Sequence, residues 1–310
     1  MASPACRASP IYNPAMCRVV VAFVLVVLAS PAPAAAWGFE AHQFIMDRAI
    51  ALLPAELRPL FERNRAMVVE RAIDPDTWRT AGFREEDKHH FLDLDWAGYG
   101  KYPFAELPRD YTAAVAKFGT ARIEENGTVP WRVEEYHGNL RRAFESYARR
   151  GAFGRHELLL FSAALAHYVS DAHVPFHAVV NYDGQLTGQH GIHARFESTM
   201  FERYRGQLVT APTPIAPVRN PRDFIFDTII EGTKLVPAIL KTDLEAIGTR
   251  EVYDDEYFSA LFKANRSVLE RRLNESIAAV AAMIAGAWEA AGRPAAPSDP
   301  PPPPAQRRRR

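Results

Sequence analysis

Between residues 37 and 293 apolar side chains recur at three-to-four spacing, as expected for amphipathic helices that share one core. Ala41 to Leu53 places His42, Ile45, Met46, Ala49 and Leu53 along one face. Glu134 to Arg150 predicts a helix with a charged outer side, stopped near Gly151. Glu157 to Ala172 is far more apolar, with Leu158, Leu159, Leu160, Phe161, Ala163, Ala164 and Leu165, and predicts a buried central helix. Further helices are predicted over Ala194 to Arg205 and Tyr257 to Ala291, the latter ending near Gly292 and Pro294. Phe224 to Leu240 reads as a helix or as one broken by Pro237. No convincing period-2 alternation is present, so no strand is predicted. Asp74 to Tyr102, Glu125 to Trp131 and Asn181 to Gly191 read as irregular, and no repeat is evident. The expected fold class is all-α, a multi-helix bundle with long loops.

The polar positions on the central helix need an explanation, because a buried ionisable group is costly unless it is paired or metal-bound. His167 and Asp171 are four residues apart, as are His193 and Glu197. On a helix that spacing puts both side chains on one face, about 5–6 Å apart at Cβ. Imidazole and carboxylate are the ligands zinc takes where cysteine is not used. The pairs are joined by a turn that contains Pro175 and His177, so the stretch is able to hold more than one ion. Neither pair is specific alone; the combination is.

Three other segments carry chemistry of the same kind: Trp37-Gly-Phe-Glu-Ala-His42, Asp74-Pro-Asp76-Thr-Trp-Arg79, and His89-His90-Phe91-Leu-Asp93-Leu-Asp95. Taken singly, each has a plain reading. His42 fits a satisfied core histidine, Asp74-Pro-Asp76 a turn with Asx bonds, and His89-His90 a solvated loop pair.

Composition narrows the class. The chain has 310 residues, 48% hydrophobic and 24% charged, with a formal charge of zero. No global basic field points to nucleic acid. Residues 1–36 differ from the rest: Arg7 and Arg18 are the only charges, Val19 to Ala29 is an apolar run too short to span a bilayer comfortably, and Ala34-Ala35-Ala36 offers an A-x-A cleavage site. This is the layout of a secretory signal cut before Trp37, and Met16 to Ala36 already contains all three parts. The competing reading is an uncleaved anchor. Cleavage removes both cysteines, Cys6 and Cys17, and leaves 35 basic against 37 acidic residues. The mature chain is then exported without disulfides and draws stability from its core and from metal. Residues 37–293 form the expected helical domain. Residues 294–310, with a proline run and four terminal arginines, read as a disordered polyproline tail. Its basic tip suits a solvated terminus or a weak tether to an anionic surface.

In their order along the chain these motifs resemble the zinc-dependent phospholipase C family and the related fungal-type single-strand-specific nucleases. The resemblance covers roughly Trp37 to Tyr204 by motif. His167-x3-Asp171-x5-His177 is the core pattern of that superfamily and is present without a gap. The resemblance implies three zinc ions. Asp76, His90, His167 and Asp171 would surround one. Asp171 would bridge to a second, completed by His42 and by the α-amino group and carbonyl of Trp37, which exist as ligands only after cleavage at Ala36. His177, His193 and Glu197 would hold the third. Asp74 and His89 stay open as substitutes for Asp76 and His90, and His173 and His190 lie off the motif. The implied chemistry is in-line attack on a phosphodiester by metal-activated water, with Asp76 as both ligand and base and the third zinc facing the leaving alkoxide. Arg79 would contact phosphate or form a salt bridge within its loop.

Two substrates are compatible with this ligand set. Glu197, where the nuclease branch typically has Asp, points to a phospholipid; peripheral membrane contact would then come from loops or the tail, since no C-terminal β-domain is predicted. The Trp37–His42 spacing looks more like the nuclease branch, with Tyr182, Phe83 or Trp96 able to stack a base. The acidic balance of the mature chain argues against that branch. A purely structural zinc site is the non-enzymatic reading. No obligate protein partner is implied.

Overall fold

A computed structural model describes residues 38–151 and 153–295. The proposed signal segment, Trp37 and the tail beyond residue 295 lie outside the described residues. The described chain is all-helical, as the pattern predicts, and contains no strand.

In chain order the helices are α1 (Phe39–Ile50), α2 (Arg58–Arg63), α3 (Arg65–Glu70), α4 (Asp74–Thr80), α5 (Tyr111–Phe118), α6 (Thr120–Glu125), α7 (Val129–Ala148) and α8 (Gly154–Asp171). Next come α9 (Ile192–Ala194), a π-helical turn (Arg195–Thr199) and α10 (Met200–Tyr204), which run on from one another. Then follow α11 (Pro221–Thr233), α12 (Val236–Ile247) and α13 (Asp255–Ala290). Proline marks several starts: Pro75, Pro130, Pro221 and Pro237 each sit in a first turn, where the missing N–H has no intrahelical partner to lose. Asp110, Asn220 and Asp254 cap α5, α11 and α13 by accepting a backbone N–H at their side chains.

α8 is the central element. It lies along α7, and α1, α3, α4 and α13 pack around it. Leu158, Leu159, Ala163, Ala164, Leu165, Tyr168 and Val169 bury every side of the helix. The last two turns of α8 therefore deliver His167 and Asp171 into the interior, and the packing partners bring their own polar residues to the same place. Among the described residues no helix is long and apolar enough to cross a membrane.

Several boundaries differ from expectation. The stretch from Asp74, expected to be irregular, opens with α4, because Pro75 starts a helix there and does not make an Asx turn. α7 begins at Val129, five residues before Glu134. The stretch around Pro237 is two helices: Pro237 opens α12 and does not kink a longer helix.

Candidate metal centre

His42, Asp76, His90, His167, Asp171, His177, His193 and Glu197 are all buried and converge as three groups able to hold a metal ion: His42–His167–Asp171, Asp76–His90–His167, and His177–His193–Glu197. The structure thus brings together every sequence-predicted ligand among the described residues. Trp37 lies outside them.

The ligands are delivered by several local devices. His167 and Asp171 share one face of α8, with His167 Nε2 3.2 Å from Asp171 Oδ2. α1 packs on α8 and lays His42 flat on His167, ring centroids 3.9 Å apart, so that His42 Nε2 stands 3.4 Å from Asp171 Oδ1. Asp76, in the first turn of α4, places Oδ1 3.8 Å from both His90 Nδ1 and His167 Nε2. His90 follows the 3-10 turn Arg84–His89, and its Nδ1 is 2.8 Å from Asp171 Oδ2. The two oxygens of Asp171 therefore face different groups, as a bridging carboxylate does.

His177 comes from the 3-10 turn Pro175–Ala178, and its Nε2 lies 3.8 Å from Glu197 Oε2. His193 and Glu197, four apart across α9 and the π-helical turn, approach to 3.1 Å. The segment after His90 is zipped to the segment after His177. Leu92 N–H donates to the His177 carbonyl at 2.9 Å and Leu94 N–H to the Ala178 carbonyl at 3.0 Å. Two irregular segments so hold each other, and two of the groups with them.

Apart from the 2.8 Å His90–Asp171 hydrogen bond, the separations of 3.1–3.8 Å bracket those around a shared ion. Tetrahedral zinc with bonds of about 2.0–2.1 Å sets its ligand atoms ~3.3–3.5 Å apart. Both ring nitrogens of His42, Oδ2 of Asp76, Oδ1 of Asp171 and Nε2 of His193 are buried without a hydrogen bond. Orphaned buried polar atoms are rare and costly, and two of them, His42 Nε2 and Asp171 Oδ1, stand 3.4 Å apart. Moreover, His167 Nδ1–H donates to the Ala72 carbonyl at 2.9 Å and His177 Nδ1–H to the His90 carbonyl at 2.7 Å. This fixes their tautomers and leaves Nε2 as the lone-pair atom toward the centre, the usual arrangement behind a metal-bound imidazole.

Ionisation supports the same reading for four of the five imidazoles, and His167 would have to give up its Nε2 proton to an ion. Burial holds the imidazoles of His42, His90 and His177 below their ordinary range and that of His193 down to about 4. They are neutral at pH 7, the form that binds metal. Burial also opposes charge on His167, but the carboxylates of Asp171 and Asp76 outweigh it and push that imidazole up to about 9. Burial disfavours the Asp171 carboxylate, yet His167 and His177 outweigh this and hold it well below its usual range.

The structure also separates the neighbouring residues that the sequence left as alternatives. Asp74 turns outward to Arg71 at 3.1 Å. His89 bonds to the Thr128 hydroxyl at 2.8 Å and lines an open cleft of about 630 Å³ with Lys88 and Arg132, away from the ligands. His173 bonds to the Val169 carbonyl at 2.7 Å. Arg79 is held between Asp76 (3.2 Å) and Asp87 (3.0 Å), the salt-bridge arrangement.

Two supporting networks were not anticipated from sequence. Behind His90, buried Glu86 accepts from Arg132 Nη2 at 2.8 Å and from the Tyr168 hydroxyl, with Glu86 Oε1 3.9 Å from His90 Nε2. Around Arg195, Asp243 and Tyr257 form a second. Nothing in the local sequence marks them: Asp243, for example, stands among Lys241, Thr242 and Glu245 as a surface residue would. No protein-family model matches the chain, and no curated protein matches it.

Proposed function

We propose that the protein is a secreted zinc-dependent phosphodiesterase of the phospholipase C type, which hydrolyses a phosphodiester with water. The observation that carries this reading is the convergence of eight buried His, Asp and Glu side chains into three groups, several of whose polar atoms make no hydrogen bond. Three zinc ions fit that donor set, with the Trp37 amino group completing the group of His42 and Asp171.

Zinc held there supplies Lewis acidity and lowers the pKa of water toward neutrality. The chain's own residues do the rest. Asp76 has Oδ1 fixed by Arg79 and Oδ2 open, so it is the group to orient the attacking water and take its proton. Arg79, itself anchored on Asp87, keeps that carboxylate from rotating. The surrounding core excludes bulk solvent and so strengthens each electrostatic contact with the phosphoryl oxygens.

A phospholipid is the preferred substrate class. Glu197 takes the form the phospholipase branch uses. Exposed apolar side chains flank the ligand-bearing segments in sequence: Phe39 before His42, Phe83 after Arg79, and Tyr182 and Leu186 before His193. They suit contact with a lipid surface. One observation favours single-stranded nucleic acid as the second reading. The half-exposed Tyr182 ring stands edge-on to His193, centroids 6.3 Å apart, where a base could stack on it.

The test is to express the chain with its own signal segment, so that Trp37 becomes the N-terminus, and to assay phosphatidylcholine vesicles and single-stranded DNA with and without chelator. Chelator-sensitive release of a phosphorylated headgroup is the expected result. DNA cleavage without lipid turnover would move the protein to the nuclease reading. Absence of bound zinc would overturn both.

A further inference from the structure

Arg195 lies between His193 and Glu197 in the chain but reaches into the C-terminal helices. Its Nε donates to the Tyr257 hydroxyl at 2.8 Å, Nη1 to the His190 carbonyl at 2.7 Å, and Nη2 to Asp243 Oδ1 at 3.2 Å and the Gln189 carbonyl at 3.3 Å. The Tyr257 hydroxyl also donates to Asp243. Gln189 Nε2 donates to Asp243 Oδ2 at 2.7 Å and to the Leu240 carbonyl at 2.8 Å. The ring of Tyr253 covers the guanidinium, 3.9 Å from its carbon. The side chains of Arg195 and Asp243 are only 8% and 1% exposed.

An ion pair at that depth is weak evidence for stability, because desolvation offsets most of its attraction. Its geometry points to another role. Arg195 is the first residue of the π-helical turn that carries Glu197. A π-turn is a rare register shift within a helix and is found mostly where function needs it. Four acceptors from three places, the end of the 181–191 segment, α12 and α13, fasten this turn from the side away from the ligands.

We propose that the Arg195–Asp243–Tyr257 network is the positioning device of the third metal group. It holds the turn in the register that aims His193 and Glu197 at His177, and so places the third ion under the control of the C-terminal helices. This rests on the zinc reading above. Arg195 touches no substrate; it acts through the two ligands beside it.

The experiment measures zinc per chain against free zinc concentration for the full mature protein and for Tyr257→Phe, Asp243→Asn and Leu269→Ala. Leu269 is buried in α13 outside the network, so Leu269→Ala reports what plain destabilisation does. The wild type is expected to hold three ions. Tyr257→Phe and Asp243→Asn are expected to hold two where the wild type is saturated, and to regain the third only at roughly ten- to hundredfold higher zinc, the usual cost of losing a partner behind the ligands. Circular dichroism should show their helix content retained. Leu269→Ala should lower Tm and keep three ions. Unchanged zinc dependence in Tyr257→Phe would overturn the inference, even if Asp243→Asn fails to fold. Loss of the third ion in Leu269→Ala as well would overturn it too. A wild type that holds fewer than three ions would sink the zinc reading itself, and this inference with it.

Discussion

At the scale of single residues, Asp76 and Asp74 are a natural experiment, two carboxylates two positions apart on one short helix. Asp76 is buried, with Oδ1 on Arg79 and near His90 and His167, and Oδ2 without a hydrogen bond. Asp74 pairs with Arg71 at the surface. Asp76→Asn keeps the shape and removes the charge and the proton acceptor. We expect phosphodiester hydrolysis to fall by ~10²–10⁴, the usual worth of a general base, and Tm to fall too, because the same carboxylate is a ligand and the partner of Arg79. Asp74→Asn should leave turnover as it was, since an exposed ion pair of this kind contributes about 0–1 kcal/mol to stability and nothing to the site. Equal losses in the two variants, measured as initial rates at saturating zinc, would refute the assignment of Asp76 as the base.

At the scale of elements, the segment from Lys88 to Asp95 decides whether His90 reaches its group. It has little regular structure of its own. Thr128 N–H donates to the Lys88 carbonyl at 2.7 Å, Val129 N–H to the Phe91 carbonyl at 3.2 Å, and Asp93 N–H to the Asn126 carbonyl at 2.7 Å. Gly127 makes the close approach feasible. Its φ is +91°, and a Cβ there would lie 2.2 Å from the Phe91 carbonyl oxygen. Gly127→Ala therefore has to push backbone against backbone. We expect a loss of about 1–3 kcal/mol, as for other enforced strain, together with weaker zinc binding at the Asp76–His90–His167 group. Thermal melts with and without added zinc would show this; an unchanged melt would rule it out. The same segment shows what a sequence can and cannot convey. His167 with Asp171 and His193 with Glu197 were legible because helical spacing alone puts each pair on one face. The buried character of α8 was legible from its unbroken apolar run. His90 over His89 came from the resemblance and not from spacing, because outside a helix the direction of a side chain is set by tertiary hydrogen bonds such as His89 to Thr128. The short helices α2 to α6 were missed for a related reason: six to eight residues give too few turns for a period to show, and packing decides them. Arg195 carries no signal in the sequence because its partners Asp243 and Tyr257 lie 48 and 62 residues away.

At the scale of the whole molecule, the buried histidines make folding, metal and pH one problem. Burial holds His173 down to about 3 and His193 to about 4, whereas an unfolded chain titrates near 6.5. Below that value the unfolded state takes up protons that the folded state refuses, so stability falls as pH falls. For His193 the window runs from 6.5 to about 4, and for His173 down to about 3. Each group removes about 1.4 kcal/mol per pH unit within its window, so the two together remove roughly 8 kcal/mol, enough to unfold a domain in the lower half of the typical range of about 5–15 kcal/mol. His167 runs the other way, raised to about 9. Below 6.5 it is charged in both states, so its contribution is constant across the acid window and is lost only as pH rises through 9. The metal-stripped protein should therefore unfold on acidification between pH 6.5 and 4. Zinc competes with protons for His193 and its neighbours and binds the folded state. Each ion adds about 2.7 kcal/mol at a hundredfold excess over its Kd. We expect chelation at pH 7.5 to lower Tm by an amount that added zinc restores, and the gap between loaded and stripped protein to close as pH falls toward 5. A stripped-protein Tm that stays level from pH 7.5 to 5 would contradict the neutral-histidine account. A Tm indifferent to zinc at every pH would contradict the metal centre.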